Sequence, residues 1–507
     1  MTAAGKPEAL VRALLLVVAI GFLIYTTTGT FAIVTYPYQH EFREGAPVVV
    51  VKAMLNGQNP YSLALQASTT YVYGILYPLL NYPISRLFGA TLLDARIMSW
   101  LYMWATALLI FQFAFRQSRS VGTAAFCTVP FFFTEPYKAS AQPNDLGVLL
   151  LVATLLIVYQ KDFSPLALVL SAVFSVLGFY AKAFFMVGIV YVAGYLFVFR
   201  SKRTAVYYFA MAMGLWVASL LLVHRLWPAY LNDCLFHHMG VANYTRLHVH
   251  EQLDAYRERN VYLVLAVLGL VVAALRQIRY RRVRIDVLHP DQPLLNGVRV
   301  NLYFELSALL IFFIFFYKIG GHSGSWGGVY LNLLLSPVLI LLVAEKFDSF
   351  TTPRWLAYVA AALLVAFMVK NGKLQHEGTQ RLPEYAKQIA LLEHAMASKR
   401  LVMNSEFTAS IAVAQNREIF ESGQSQYFIT GNNRYSKFVY GDAITEANDR
   451  YLQDIKQKIE RKYFDLVLAA TAWNLPPSSL SANYEKRNVY AYPGLLDGGG
   501  VEFWERK

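Results

Sequence analysis

Charge is what this sequence has least of. Only 15% of its 507 residues are Asp, Glu, Lys or Arg, against about 25% in a soluble globular chain. That excludes a fold with water on all sides. Cysteine is nearly absent too. Cys127 falls in an apolar run and Cys234 in a polar stretch, so there is no disulfide framework and no Cys-x-x-Cys metal pattern. No internal repeat, low-complexity tract or long linker is visible. No small-residue cleavage site follows the opening "MTAAGKPEALVRALLLVV", which therefore reads as a retained span rather than a signal peptide.

What is abundant is apolar and aromatic. Hydrophobic residues make up 56% of the chain, with 34 Tyr and 34 Phe, and mean hydropathy is +0.38. Runs such as "ALVRALLLVVAIGFLIYTTTGTFAIV" and "VYLVLAVLGLVVAAL" recur. A span needs about 20 apolar residues, and its backbone groups must bond internally, so it is helical. The chain reads as a polytopic α-helical membrane protein of about 11 spans. They are expected near 10–34, 96–115, 120–134, 146–160, 164–180, 183–199, 204–226, 260–276, 301–318, 327–343 and 354–370. The net charge of +13 then belongs to cytoplasmic loops rich in Lys and Arg, not to a nucleic-acid surface.

Those loops set the orientation. "RQSR" (116–119), "QKD" (160–162), "RSKR" (200–203), "RQIRYRRVR" (276–284) and "EKFD" (345–348) all fall inside if the segment 71–95 does not cross. With two prolines, Asn81 and Arg86, that segment suits an interfacial element. The N-terminus is then cytoplasmic. Residues 35–95, 135–145, 228–259 and 319–326 form outer loops, and the chain beyond 370 lies outside. Residues 1–370 make the membrane domain. Residues 371–507 read as a small extracytoplasmic α/β domain: "SKRLVMNSEFTASIAVAQNREIF" as strand, helix, strand; "NDRYLQDIKQKIERKYFDLVLAAT" as helix and buried strand; "RNVYAYP" and "VEFWERK" as closing strands.

Charges at a bilayer are costly and mark a path or a site. Here they gather where outer loops meet span ends. Glu41, Arg43 and Glu44 lie in the first loop; Glu135, Lys138 and Asp145 in "TEPYKASAQPNDLG"; Lys182 in "GFYAKAFF"; His322 in "KIGGHSGSWGGVYLN"; and Arg246 in the histidine-rich 224–260 stretch. A carboxylate can deprotonate an acceptor hydroxyl, and Lys or Arg can hold a departing phosphate. Each has a plainer reading. The glutamates are also ordinary helix-start charges, Asp145 an N-cap, Lys182 a snorkelling lysine, and the glycine-rich loop a flexible turn. His248 and His250 lack the i, i+4 zinc spacing. The "NYT" at 243–245 is a glycosylation signal only in a eukaryotic secretory setting.

The order of these features resembles the GT-C superfamily of polyprenyl-phosphate-sugar-dependent glycosyltransferases. The nearest in kind are the bacterial multi-pass enzymes of cell-envelope glycan assembly. Protein mannosyltransferases and the aminoarabinose transferases acting on lipid A are more distant relatives. The family's first-loop acidic motif, of the type D-x-x-E-G, reads here "EFREG" (41–45). "GQNPY" (57–61) follows, then "YPLLNYPISRLFG" (77–89) with Tyr77, Arg96 opening the next span, Asp145 in "QPNDLG", Lys182 in a short outer turn, and "GSWGGVYLN" (324–332). One departure is Glu41, where the family usually has Asp.

The resemblance implies a donor sugar on a polyprenyl phosphate, a glycan or lipid acceptor, and inversion at the anomeric carbon on the extracytoplasmic face of a bacterial inner membrane. It implies Glu44 or Glu41 as general base, Asp145 as a second acid orienting the acceptor, and Arg43, Lys182, Arg246, His322 and Tyr77 as substrate-binding residues. The relatives divide on metal use, and no metal or other cofactor is predicted. Two rival functions share the setting. A flippase for a lipid-linked glycan would also carry buried charges, but transporters commonly show internal repeats. An O-antigen ligase or polymerase would use Arg and His in a large outer loop, such as 228–259.

Overall fold

The structure, a computed structural model, describes residues 5–134, 139–236, 303–312, 334–344, 354–422, 424–425, 434–470, 477–491 and 500–507. The helices begin with α1 (Gly5–Val34), α2 (Gly45–Leu55), α3 (Gln66–Thr69), α4 (Leu76–Phe88) and α5 (Leu92–Ser118). They continue with α6 (Val121–Thr128), α7 (Asn144–Gln160), α8 (Pro165–Ala181), α9 (Val187–Phe199) and α10 (Lys202–Leu226). Further helices cover Tyr303–Phe312, Leu334–Ala344 and Arg354–Ser398. Each expected span up to residue 226 falls on these helices, with those at 120–134 and 183–199 made up by 3-10 turns at Val129–Phe133 and Ala183–Met186, and so do parts of those expected at 301–318, 327–343 and 354–370. The span expected at 260–276 lies outside the described residues.

Among the described residues, Leu10–Val34, α5 and α10 are long and apolar enough to cross a membrane. Local chemistry fixes where helices begin. Thr91 and Ser201 have extended backbones, and their hydroxyls accept from the amides of Asp94 and Thr204 at the starts of α5 and α10. Each such cap satisfies one orphan amide of the first turn. On their outer faces α1 and α10 leave Leu10, Leu14, Val17, Phe31, Tyr207, Leu221 and Leu222 uncovered, a pattern suited to lipid. Inside, Phe113, Tyr159, Tyr191, Tyr195, Tyr303 and Phe304 pack ring against ring. The Tyr303 hydroxyl donates to Leu155 O at 3.1 Å, and Ser171 and Tyr208 bond at 3.0 Å. Such polar pairs hold helices together where lipid is as apolar as leucine.

Between α1 and α5 the chain folds back on itself. Helix α4 buries Tyr77, Pro78, Asn81 and Ser85 and leaves Leu80, Leu87 and Phe88 exposed, which is the two-faced character expected of an interfacial element. Residues 70–74 pass the end of α8 as neither helix nor strand. Gly74 is required there, because a Cβ would sit 1.8 Å from Tyr180 O.

At the C-terminal end a four-stranded sheet has the order β1-β2-β4-β3, with β1 Val402–Met403, β2 Leu466–Ala470, β3 Tyr484–Ala491 and β4 Gly500–Arg506. β1 and β2 are parallel, and the other pairs antiparallel. Alternate residues of β2 face opposite ways: Leu466 and Leu468 pack with Ile389, Leu392 and Met396 of the helix Arg354–Ser398, while Val467 and Ala469 pack with Ile455 and Ile459 of the helix Ala443–Glu460. The strand expected near "REIF" does not form. Asn404 takes that backbone instead, its Oδ1 accepting from Phe420 N at 2.8 Å and Glu421 N at 3.3 Å, and its amide donating to Glu421 O at 2.6 Å. The helix Arg354–Ser398 runs unbroken through the position 370/371 at which the sequence suggested a boundary.

This C-terminal region sits directly on the first loop. Gln39 donates to Glu406 O at 3.1 Å and accepts from Ser410 N at 3.0 Å. The rings of Phe42 and Phe407 meet edge to face at 6.0 Å. Gly45 of "EFREG" lets the helix Ala409–Ala414 approach, since a Cβ there would lie 2.7 Å from Ala409 Cβ.

Candidate active site

The two first-loop glutamates occupy one tight turn and have opposite surroundings. Glu44 is fully buried. Its Oε1 accepts from Arg96 Nε at 3.0 Å and Ala141 N at 2.7 Å. Its Oε2 accepts from Arg96 Nη2 at 2.6 Å and His40 N at 3.0 Å, with His40 Nδ1 at 2.9 Å. A carboxylate has about four lone-pair positions, so none is left for a substrate proton. Burial alone would raise the Glu44 carboxyl, but the Arg96 guanidinium and His40 outweigh it and hold the group well below the usual carboxylate range. Arg96, also fully buried, spends its remaining donors on the Tyr36 and Tyr38 carbonyls. The pair fastens the end of α1, the first loop and the start of α5 together.

Glu41 is the accessible one, its side chain 16% exposed against 0% for Glu44. It stands in a closed ring of six side chains. Its Oε1 is paired with Arg43 Nε. Arg43 Nη1 donates to the Tyr73 hydroxyl at 3.0 Å. Lys182 Nζ lies 4.0 Å from the centre of the Tyr73 ring, a cation–π distance, and donates to Asn144 Oδ1 at 3.0 Å. Asn144 Nδ2 reaches Gln142 Oε1 at 3.4 Å, and Gln142 Nε2 returns to Glu41 Oε2. One carboxylate and two cations thus share a small polar surface, where a base and an anion-binding group can act on neighbouring atoms of one substrate. The helix breaks at Lys182, which has an extended backbone after α8, and this aims its side chain sideways into the ring instead of along the helix.

The other expected residues are placed differently. Asp145 lies within the first turn of α7 and is not its N-cap. The cap position is Pro143, and Asp145 Oδ2 reaches back to accept from Ala139 N at 3.1 Å. That bond shapes the turn carrying Gln142 and Asn144. Tyr77 is fully buried, with its hydroxyl bonded to Ala95 O at 2.7 Å and Ser99 Oγ at 2.8 Å, so it braces α4 on α5. Arg246, His322, Glu135 and Lys138 lie outside the described residues. Tyr73, Gln142 and Asn144 were missed in the sequence. The "QPND" stretch holds two of them beside an acid, and Tyr73 is one tyrosine among 34.

A further carboxyl comes from the C-terminal region. Glu406 follows Ser405, the cap of the turn that packs on Phe42. It is 4% exposed, and among the described residues its Oε2 has no hydrogen-bond partner. Burial, then Glu421, then Glu41 push it up to about 8 from its ordinary 4.5. Among the described residues no three His, Cys, Asp or Glu side chains are grouped to hold a metal ion.

No family model matches the sequence, and no curated protein matches it. Solved structures do match. Over 96% of this chain and 97% of the other, it superposes on the crystal structure of ArnT from Cupriavidus metallidurans bound to undecaprenyl phosphate, with a TM-score of 0.56 at 12% identity. The apo crystal structure of the same ArnT covers 87% of this chain and 80% of its own, with a TM-score of 0.44 at 16% identity. Over nearly its whole length the chain therefore has the fold of this ArnT.

Proposed function

We propose that this protein is an integral-membrane glycosyltransferase that moves a sugar from a polyprenyl phosphate to a hydroxyl of a cell-envelope glycan or lipid. The observation that carries this reading is the ring, which joins an accessible carboxylate to two cations on a fold shared with a protein that binds undecaprenyl phosphate. Glu41 is the general base. It takes the proton of the acceptor hydroxyl. The oxygen attacks the anomeric carbon from the face opposite the phosphate, and the carbon–oxygen bond to phosphate breaks with inversion. The lipid phosphate leaves with the electron pair, held by Arg43 and Lys182. Glu44 is assigned to the architecture, because its lone pairs are already taken. Asp145 shapes the 139–145 turn, Tyr77 stays out of the reaction, and Arg246 and His322 remain candidates for the donor.

The topology fits a lipid-borne donor. With the N-terminus cytoplasmic and the C-terminal region outside, the ring opens where nucleotide sugars are absent, so an activated sugar has to arrive on a lipid. About eleven crossings with a domain boundary near 370 belong to the same reading. The step as written uses no metal, so transfer should persist in EDTA.

The test is transfer from a panel of radiolabelled polyprenyl-phosphate sugars by membranes holding equal amounts of the parent, Glu41→Gln or Glu44→Gln. One donor should be consumed by the parent, and Glu41→Gln should lose transfer while keeping donor binding. Movement of an intact lipid-linked sugar across the bilayer, with Glu41 dispensable, would instead make the protein a flippase.

A further inference from the structure

Tyr73 reaches the ring from the segment 70–74, which belongs to neither helix nor sheet. Buried backbone groups must nevertheless find partners, and here they find them in three other parts of the chain. Gly74 N donates to Ala181 O at 3.1 Å, at the end of α8. Cys234 Sγ lies 3.4 Å from Tyr71 O and 2.7 Å from Tyr73 O. The C-terminal region supplies the rest: Ser422 Oγ donates to Thr70 O at 2.7 Å, and Gln424 Oε1 accepts from Val72 N at 2.7 Å. Ser422 and Gln424 are fully buried.

These two residues form one preset unit. Gln424 N donates to Ser422 Oγ at 3.1 Å, and Ser422 N to Ser425 Oγ at 3.2 Å. Ser425 N donates to Glu421 Oε1 at 2.8 Å, and Asn404 binds the backbone of Phe420 and Glu421 next to β1. The sheet is thus linked, through Asn404 and residues 420–422 and 424, to the backbone on both sides of Tyr71. The Tyr73 hydroxyl stands at the far end of a long side chain. A small rotation of the backbone at 72–73 is therefore magnified there, and its 3.0 Å bond with Arg43 is lost.

We propose that Ser422 and Gln424 are positioning residues, a clasp through which the C-terminal region holds Tyr73 between Arg43 and Lys182 and so sets the affinity of the ring for a lipid phosphate. This rests on the ring being the phosphate site. It gives the C-terminal region a part in recognising the donor, whose hydrocarbon lies in the bilayer.

The experiment compares binding of undecaprenyl phosphate with that of undecaprenol, which lacks the phosphate, by the full chain in nanodiscs. Proteins are the parent, Ser422→Ala, Ser422→Thr, Gln424→Ala and Lys182→Met, with hydrogen exchange followed over 70–74. The parent should prefer the phosphate, and Lys182→Met should abolish that preference. Ser422→Ala and Gln424→Ala should each reduce it about three- to tenfold, the equivalent of one neutral hydrogen bond. Undecaprenol binding should not change, exchange at Val72 should quicken, and Ser422→Thr, which keeps the hydroxyl, should behave as the parent. Faster exchange with an unchanged preference overturns the clasp. Equal weakening of both lipids also overturns it, because that is a general loss of structure. A parent without preference, or a Lys182→Met protein that keeps it, overturns the phosphate reading itself.

Discussion

Glu41 and Glu44 stand three residues apart and show two ways of using a carboxylate. Around Glu44 every lone pair is met by a donor, the partner guanidinium is equally enclosed, and the result is a joint. Around Glu41 the donors are Arg43 Nε, the Arg43 amide at 3.0 Å and Gln142 Nε2, and part of the group stays open. A saturated buried ion pair defines geometry and resists protonation. An incompletely enclosed carboxylate beside two cations can exchange a proton and admit an anion. The same residue type in the same turn is therefore structural or reactive according to how many donors converge on it.

The comparison breaks if the roles can be exchanged. Removing the charge at Glu41 by Glu41→Gln should lower transfer by about 10²- to 10⁴-fold, the usual contribution of a general base, while the melting temperature stays near that of the parent. Glu44→Gln should do the reverse. It strands Arg96 and should cost about 3–5 kcal/mol of stability, seen in thermal melts of the purified protein. Combining it with Arg96→Met should recover part of that loss, since a buried pair removed as a whole costs less than one charge left behind. A Glu44→Gln protein that melts like the parent would remove the basis for separating the two glutamates.

Smaller effects sharpen it. Gly45→Ala places a methyl 2.7 Å from Ala409 Cβ and 2.8 Å from Gln39 Oε1, and overpacking of this kind costs about 1–3 kcal/mol. Faster hydrogen exchange across 405–411 should report it. Glu406 offers a pH test. Its folded-state value of about 8 lies above the ordinary 4.5, so between those values the folded protein holds more protons than the unfolded one. Its contribution to stability is then full below about pH 4.5 and is lost as pH rises through 8. Glu406→Gln should flatten that decline in melting temperature between pH 5 and 8.5, and superimposed curves for the two proteins would show that Glu406 does not carry it.

Much of the helical frame was legible because long apolar runs have few alternatives in a bilayer. Asn404 marks where local pattern fails. "REIF" has the composition of a strand, but one distant amide side chain bonds that backbone first. The site was legible in part. "EFREG", Arg96 and Lys182 were visible as charges in a greasy chain, but the partition between Glu41 and Glu44 depends on Arg96, His40 and the Ala141 amide converging from separate segments. Tyr73, Gln142 and Asn144 carry no charge and have no distinguishing spacing, so only the closed ring reveals them.

The helix Arg354–Ser398 has 45 residues, and at 1.5 Å per residue it is about 68 Å long. That is more than twice the thickness of a bilayer core, about 30 Å, and the helix is a mast that holds the terminal sheet at one height and one heading. Adding a single residue to the mast would swing the sheet by about 100° and carry Ser422 and Gln424 away from Thr70 and Val72. Adding seven, close to two full turns, would restore the heading but change the height by about 10 Å. The length of this helix is thus a calibrated dimension of the protein.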